Sequence, residues 1–293
     1  MMSIYCYVKE SFNVIMPYIK VKKRKIYYEK HGTGMPVLFC HSLLWDKSMW
    51  DHQISKLKNH FCCIIPELWG HGSSNILFDK EYSLELLAAD HKAFMDELSI
   101  DKYAIVGSSI GGMLGTYLSL AYPEKVSKLV LMASYVGEEP PEKQQLYFEM
   151  MDVITQYNLI PDELIEKIIP IFFSKHTLEN NTSLVDMFRT KLKTLPRENL
   201  STIMTLGRCV FSRKSILNKL PNLKVPTSII VGRHDMARPI RESQQMASLI
   251  PNSEFNIIED SGHICNAEQP EIVNQLLYDF LFYDQEHEIK RVL

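Results

Sequence analysis

Glycine is scarce in this chain: only 12 of the 293 residues are glycine, and a cluster of them lies between residues 107 and 115. Long apolar runs are absent, and none approaches the roughly 20 residues of a membrane-spanning helix. The first residues carry no basic segment, and Lys9, Glu10 and Asn13 interrupt any apolar stretch there, which is not typical of a signal peptide. We therefore expect a cytoplasmic protein with no membrane partner.

A Cys-x-x-Cys pair is also absent, although the chain contains six cysteines. This absence gives no support to a zinc site or a dithiol redox site. We interpret the cysteines as reduced thiols that pack in the core, and they are Cys6, Cys40, Cys62, Cys63, Cys209 and Cys265. We predict no metal and no organic cofactor.

Neither sign of charge is in large excess, because the net charge is only −3. Such a balance gives no reason to expect nucleic acid as a partner. Hydrophobic residues make up 46% and charged residues 23% of the chain, which is ordinary globular composition. The length fits one large α/β domain, or one such domain with an insertion.

Short apolar runs and helical patterns alternate along most of the chain. The runs suit strands buried on both faces of a parallel sheet, and they cover residues 36–42, 60–68, 102–108, 128–134, 226–232 and 253–260. Apolar residues recur at helical spacing in 83–99, 110–123, 241–251 and 269–283. This alternation predicts a mostly parallel, twisted, doubly wound α/β sheet with helices on both faces.

Residues 135–221 interrupt this alternation with helical patterns, several prolines and no convincing strand. We interpret them as a helical cap inserted between two core strands, above the carboxyl edge of the sheet. The predicted α/β core then consists of residues 16–134 and 222–293. Residues 1–15 are interpreted as an N-terminal extension.

The stretch "VGSSIGGMLG" follows a predicted strand and opens a predicted helix. Gly107, Ser109 and Gly111 fit the pattern G-x-S-x-G, in which small residues permit a strained turn that exposes the central serine. The N-terminus of the next helix points at this serine and favours developing negative charge. We therefore predict that Ser109 is a nucleophile and that Ser108 only fills space.

A serine hydroxyl needs a base, which in this arrangement follows an acid later in the chain. "VGRHDMARP" places Asp235 in the loop after one predicted strand, and "EDSGHICN" places His263 in the loop after the next. Both loops would lie at the carboxyl edge of the parallel sheet, where α/β proteins build their sites. The predicted catalytic residues are Ser109, Asp235 and His263.

Other residues could fill the same roles. His234 is an alternative base, but it precedes the acid and leaves the last loop without a role. Asp260 is an alternative acid, although it lies only three residues before His263. The loop after strand 128–134 offers no carboxylate before Glu138.

An oxyanion hole requires two backbone N–H groups that point at the developing alkoxide. We assign one to Ile110, the residue after the nucleophile, and the other to Leu43 in "FCHSLLWDKSMW". His41 is interpreted as a brace of this loop. Cys40 and Cys265 are interpreted as packing residues, since a serine already occupies the nucleophile position.

These stretches resemble the α/β-hydrolase fold superfamily over roughly residues 17–283. The resemblance rests on "HSLLWDKSMW", "PELWGHGSSN", "VGSSIGGMLG", "VGRHDMARPI" and "DSGHICNAEQPEIVNQLLYDFL". The first stretch is loosely similar to a segment of 3-oxoadipate enol-lactonases. Epoxide hydrolases and haloalkane dehalogenases of this fold have Asp at the elbow, and Ser109 argues against both.

The chain departs from the family pattern at two positions. Ser42 stands where the family usually has glycine, and a side chain there raises the cost of a positive φ in the oxyanion loop. Glu67 stands where the family commonly has Asp, and we interpret this position as structural.

The resemblance implies a serine hydrolase that cleaves a carboxylic ester or lactone through an acyl-enzyme. An acyltransferase or a cofactor-free haloperoxidase with the same triad is an alternative, and so is a non-catalytic binding protein. Leu44 and Trp45 are candidates for an apolar acyl pocket. Met49 and Trp50 fit that role or helix packing equally well.

The predicted cap divides into an acidic segment, residues 138–186, and a basic segment, residues 189–224. The acidic segment carries ten acids and three lysines, whereas the basic segment carries nine Lys or Arg and one acid, Glu198. The basic segment could attract an acidic acyl carrier protein, as the resemblance to pimeloyl-ester esterases would allow. Pairing of the two segments with each other, or plain solvation, explains the same pattern.

Overall fold

The computed structural model describes residues 17–77 and 82–282. The predicted N-terminal extension, residues 1–15, and Cys6 lie outside the described residues.

In the described part of the chain, eight strands form one sheet in the order β1-β2-β4-β3-β5-β6-β7-β8. The strands are β1 Tyr18–Val21, β2 Arg24–His31, β3 Met35–Cys40, β4 Phe61–Pro66, β5 Tyr103–Ser108, β6 Val126–Met132, β7 Thr227–Gly232 and β8 Glu254–Ile258. Strands β3 to β8 are parallel, whereas β1 and β2 form an antiparallel hairpin, and β2 also pairs antiparallel with β4. The α/β-hydrolase fold predicted from the sequence is confirmed.

Helices cover both faces of this sheet. Alternate residues of β3 point to opposite faces, so Val37 and Phe39 join one apolar core, and Leu38 and Cys40 join the other. The helices are α1 Asp51–Leu57, α2 Leu84–Glu97, α3 Ile110–Ala121, α4 Pro141–Tyr157, α5 Asp162–Phe172, α6 Lys175–Asn180, α7 Thr182–Lys193, α8 Arg197–Phe211, α9 Ile240–Leu249, α10 Cys265–Glu268 and α11 Pro270–Phe282. Every residue of β4, β5 and β7 is buried, as expected for strands covered on both sides.

Helices α4 to α8 lie consecutively between β6 and β7. Short loops join them, and prolines stand at the N-caps of α4, α5 and α8. We refer to these five helices as the cap helices. Their apolar sides pack into the same core as Phe39 and Trp50, which brings them over the edge of the sheet that carries the candidate site.

The strands and helices predicted from the sequence for the α/β core begin and end within two residues of the observed ones. The hairpin of β1 and β2 was not predicted. Its second strand, "RKIYYEKH", carries four basic residues and buries only Ile26 and Tyr28, so it lacks the continuous apolar run of the central strands.

Candidate active site

Ser109 occupies a strained turn between β5, which ends at Ser108, and α3, which begins at Ile110. Its backbone has φ 54° and ψ −116°, an unusual conformation for a residue with a side chain. Two close approaches explain the glycines around it. A Cβ at Gly107 would lie 2.3 Å from the Gly111 carbonyl oxygen, and a Cβ at Gly111 would lie 2.1 Å from the Cys40 carbonyl oxygen.

Hydrogen bonds from neighbouring strands hold this turn. The Ser109 N–H donates to the Met132 carbonyl at 2.9 Å, and the Ser134 hydroxyl donates to the Ser109 carbonyl at 2.8 Å. The Ser109 side chain is half-buried and lines a cavity, whereas Ser108 is fully buried. The turn therefore presents one serine of the pair and encloses the other.

Asp235 and His263 meet as the sequence predicted. The His263 Nδ1–H lies 2.9 Å from Asp235 Oδ2 and 3.1 Å from Oδ1, and both side chains are almost completely buried. The Arg238 N–H also donates to Asp235 Oδ1, at 2.8 Å. With Nδ1 as the donor, the other ring nitrogen of His263 is free to accept a proton.

The alternative residues lie elsewhere. His234, Asp260 and Glu138 are all exposed. The Glu138 carboxylate faces Lys214 at 3.9 Å, and the backbone carbonyl of Asp260 accepts a hydrogen bond from the Ser174 hydroxyl. None of the three is bonded to His263 among the hydrogen bonds of the described residues.

Ser109 and His263 line the same cavity. The hydrogen bonds of the described residues do not include one between these two side chains. A longer serine–histidine separation is common in triads without bound substrate, and it shortens when the substrate binds. The cavity is therefore the place where a reacting carbonyl would lie between them.

Leu43 and Ile110, the residues predicted to supply the oxyanion hole, both line this cavity. Neither amide donates a hydrogen bond within residues 17–77 and 82–282, whereas the neighbouring amides of Ser42 and Leu44 do. Two N–H groups thus remain available beside Ser109, as an oxyanion hole requires.

The expected strain at Ser42 lies at a different residue. Ser42 has no positive φ, whereas Leu44 has φ 65°. The left-handed residue of the loop is therefore Leu44, and serine at position 42 needs no positive φ.

Two buried histidines support this loop, and the sequence analysis noted only one of them. His41 Nδ1–H donates to the Ser42 carbonyl, and His41 Nε2 accepts from the Leu68 N–H at 2.9 Å. His71 Nε2 accepts from the Leu44 N–H at 3.3 Å. Burial lowers the pKa of His41 to about 3 and the pKa of His71 to about 4, so both rings are neutral and keep an acceptor nitrogen.

The signal for His71 was present in "PELWGHG" but could not be read as a contact with the oxyanion loop. The two partners are 27 residues apart, and only the parallel arrangement of β3 and β4 brings their following loops together.

The cavity encloses about 790 Å³ of space not filled by atoms, part of it continuous with solvent. Its walls are mostly apolar and come from the cap helices as well as the core, including Met113, Met151, Met204 and Phe172. Leu44 lines it, as expected for a pocket residue. The arrangement suits a substrate with an apolar portion beside its reacting carbonyl.

Trp45 does not line this cavity, contrary to its assignment as a pocket residue. Its ring is 1% exposed and stacks on Phe188 of α7, with ring centroids 4.8 Å apart. The left-handed step at Leu44 turns the next side chain toward the cap helices. Met49 and Trp50 are buried packing residues as well, and Trp50 packs edge-on against Phe39.

The described cysteines are free and buried, as expected for core thiols. Burial raises the pKa of Cys40 and Cys265, so neither thiol is an activated nucleophile. Glu67 is buried and accepts from the Ser73 N–H at 2.6 Å, which fits a structural role.

The basic segment is largely paired with acids. Arg208 pairs with Asp152, Lys193 with Asp162, and Arg189 with Glu166 and Asp186. Arg213 is buried and cannot meet a partner protein. These pairs match the expectation that the two cap segments neutralise each other, and an acidic carrier at the basic segment stays a prediction.

The family model described as alpha/beta hydrolase fold matches residues 35–270. This match spans most of the chain, so the protein belongs to the α/β-hydrolase fold family.

Characterised relatives are distant but cover most of the chain. A 3-oxoadipate enol-lactonase of Acinetobacter baylyi is 23% identical over 81% of this chain and 85% of its own length. A 2-hydroxy-6-oxononadienedioate/2-hydroxy-6-oxononatrienedioate hydrolase of Paraburkholderia phymatum is 27% identical over 74% of this chain and 75% of its own.

Among solved structures, a thermophilic esterase from Thermogutta terrifontis has a TM-score of 0.81 and 26% identity, covering 90% of this chain and 96% of its own. An enol-lactonase from Burkholderia xenovorans has the same TM-score at 23% identity, which shows the shared fold. Family and relatives together identify the protein as a hydrolase. In residues 17–77 and 82–282, no helix combines the length and apolar character needed to span a bilayer.

Proposed function

We propose that the protein hydrolyses a carboxylic ester or lactone through Ser109, His263 and Asp235. One observation carries this proposal: Ser109, at a strained elbow, lines the same cavity as His263, and His263 Nδ1 is hydrogen-bonded to the buried carboxylate of Asp235. The neighbouring amides of Leu43 and Ile110 supply the donors that such a reaction needs.

The reaction follows from this arrangement. His263 accepts the proton of the Ser109 hydroxyl as the oxygen attacks the substrate carbonyl. The Leu43 and Ile110 N–H groups stabilise the resulting oxyanion, while Asp235 stabilises the charged imidazole. His263 then protonates the leaving alcohol, and water that His263 activates hydrolyses the acyl-enzyme.

The distant enol-lactonases and esterases support an ester or lactone substrate, and so does the apolar cavity beside Ser109. The same acyl-enzyme would serve an acyltransferase if an acceptor other than water reached it. We therefore include a competing alcohol acceptor in the test, because a transferase forms the new ester in preference to the free acid.

The experiment measures hydrolysis of p-nitrophenyl esters, from acetyl to dodecanoyl, by the wild type and by Ser109→Ala. We expect the variant to lose about 10⁴-fold or more in kcat, as is typical when the nucleophile of a triad is removed. Ser108→Ala is the matched control, because Ser108 is the adjacent serine and is fully buried. It should keep most of the activity.

A fluorophosphonate probe reports on the nucleophile independently of the substrate chosen. We expect mass spectrometry to find the probe on Ser109 in the wild type and in Ser108→Ala. Turnover that persists in Ser109→Ala, or labelling at another residue, would contradict the proposal.

A further inference from the structure

A buried ionic cluster lies beside the cavity, centred on Glu139. The Glu139 carboxylate is completely buried, and it accepts from Arg238 Nη2 at 2.6 and 2.7 Å and from Arg213 Nη1 at 3.0 Å. Both guanidinium groups are also buried, with 1% and 3% of their side-chain surfaces exposed. A single carboxylate thus bridges two buried arginines.

The three residues come from three separate segments. Glu139 lies in the connection between β6 and α4, through which the chain enters the cap helices. Arg213 follows α8, where the chain leaves them. Arg238 lies three residues after Asp235, in the loop that follows β7. The cluster therefore ties both connections of the cap helices to the loop of the predicted catalytic acid.

Arg238 also connects this cluster to the triad. Its side chain binds Glu139, while its backbone N–H donates to Asp235 Oδ1 at 2.8 Å. That same oxygen lies 3.1 Å from His263 Nδ1. Arg238 and Ala237 further line the cavity that contains Ser109. A shift of the Arg238 side chain would thus act on both the cavity wall and the acid.

A second acid and two tyrosines also lie around this cluster. Glu242 Oε2 lies 3.3 Å from Arg238 Nη1 without forming a hydrogen bond, and burial raises the pKa of Glu242. Tyr147 also lines the cavity, and the Tyr135 hydroxyl bonds to Gln245. Burial and the nearby charge of Arg238 both lower the pKa of Arg213, whereas Glu139 and Glu242 both act to raise it.

We propose that Glu139 is a positioning residue that, acting through Arg238, holds Asp235 within hydrogen-bond distance of His263. Glu139 also links this contact to the placement of the cap helices. This inference rests on the proposed triad. Removing one partner of a buried ionic cluster leaves uncompensated charge. We expect the loop that carries Arg238 to move in response.

The test replaces Glu139 with Gln and follows the His263 Nδ1–H directly by proton NMR. A histidine N–H bonded to a buried carboxylate gives a low-field resonance, and His263→Ala assigns it by its loss. We expect the resonance to be lost or broadened in Glu139→Gln. We also expect kcat for a p-nitrophenyl ester to fall by about 100-fold, as for a small misplacement of catalytic groups.

A charge-matched double variant keeps the test decisive if Glu139→Gln does not fold. Glu139→Gln with Arg213→Met removes one anion and one cation, so no arginine pair is left to repel. Arg238 still loses the hydrogen bonds to the Glu139 carboxylate and keeps Glu242 as a neighbour. The expected result is again a weakened resonance and a lower kcat. A wild-type resonance in the double variant would overturn the proposal.

Asp90→Asn is the matched control for general loss of stability. Asp90 is also a buried carboxylate, bonded to Trp69 and paired with Lys22, and none of these residues lines the cavity. It should lower stability and leave the resonance and kcat unchanged. Loss of the resonance in this control as well would overturn a specific role for Glu139. The resonance does not require turnover, so it reports on the contact between Asp235 and His263 even if the protein hydrolyses no ester. A failure of the proposed function, tested with Ser109→Ala, is therefore distinguishable from a failure of this inference.

Discussion

At the scale of single residues, the oxyanion loop depends on a contact between Leu44 and His71. Leu44 adopts φ 65°, which costs free energy for a residue other than glycine because its Cβ atom crowds the backbone. His71 offsets part of this cost by accepting the Leu44 N–H. This contact therefore helps to fix the path of the loop on which Leu43 lies beside the cavity.

We expect His71→Phe to lower kcat for ester hydrolysis by about 10–100-fold with little change in KM, since an oxyanion donor acts mainly in the transition state. Leu44→Gly is the paired variant, because glycine adopts the left-handed conformation without strain. It should retain more activity than His71→Phe. Steady-state kinetics measure both, and an unchanged kcat in His71→Phe would remove His71 from this role.

Glu67 makes the stability of the protein depend on pH. Burial raises its pKa from 4.5 to about 7 in the folded protein. The unfolded chain releases this proton above about pH 4.5, whereas the folded protein keeps it until about pH 7. The residue therefore disfavours the folded state increasingly as the pH rises through this window, by about 3 kcal/mol in total.

Glu67→Gln should remove this dependence, because glutamine stays neutral and its carbonyl can still accept from the Ser73 N–H. We expect the free energy of unfolding of the variant, relative to wild type, to increase by about 3 kcal/mol between pH 5 and pH 8. Urea unfolding at both pH values measures it. A difference that does not change with pH would show that Glu67 is ionised in the folded protein throughout.

At the scale of elements, the elbow depends on how closely α3 approaches β3 and β5. The helix packs onto the sheet through glycines, and a Cβ at Gly111 would collide with the backbone carbonyl of Cys40. Backbone atoms in the middle of a sheet cannot move aside without breaking the strand pairing on either side.

Gly111→Ala should therefore lower the free energy of unfolding by about 3 kcal/mol or more. Gly115→Ala, one turn later in α3, is the control. Its Cβ would meet the ends of the Leu129 and Ile105 side chains, at 2.9 and 3.1 Å, and these can rotate. Denaturant unfolding of both variants gives the comparison, and equal losses would contradict the backbone argument.

The sequence also determined most of the elements, for an identifiable reason. β5 and α3 are recognisable because a run of buried residues changes to helical spacing at a glycine-rich turn. β2 was missed because its pattern is mostly charged, and only its pairing with β1 and β4 makes it a strand. Local patterns predict a strand well where its residues are mostly apolar, and poorly where charged residues dominate, as in β2.

At the scale of the whole molecule, the cap helices are joined to the loop of His263 by Glu268. This buried carboxylate accepts from the Gly262 N–H at 2.7 Å, from the Ser174 N–H at 2.8 Å and from the Thr177 hydroxyl at 2.6 Å. The backbone N–H of His263 also donates to the Phe172 carbonyl at the end of α5. The placement of the cap helices and the placement of His263 are therefore linked.

Glu268→Ala should cost about 2–4 kcal/mol of stability, because it leaves two buried N–H groups without an acceptor. We also expect a lower kcat, since Gly262 immediately precedes His263. Glu179→Ala, which removes an exposed acid of α6, should change neither quantity. Thermal unfolding and ester hydrolysis check the pair, and a stable, fully active Glu268→Ala would refute the link.

The sequence by itself determined the fold family, and it correctly brought Asp235 and His263 together. Each of the predicted catalytic residues follows a strand of the parallel sheet, and parallel strands end at one edge of the sheet, so local patterns were sufficient. Only the tertiary structure decided that Trp45 packs on Phe188, that His71 holds Leu44 and that Glu139 binds Arg238, 99 residues away. These contacts depend on loop paths and on the seating of the cap helices, which no local pattern of apolar and polar residues encodes.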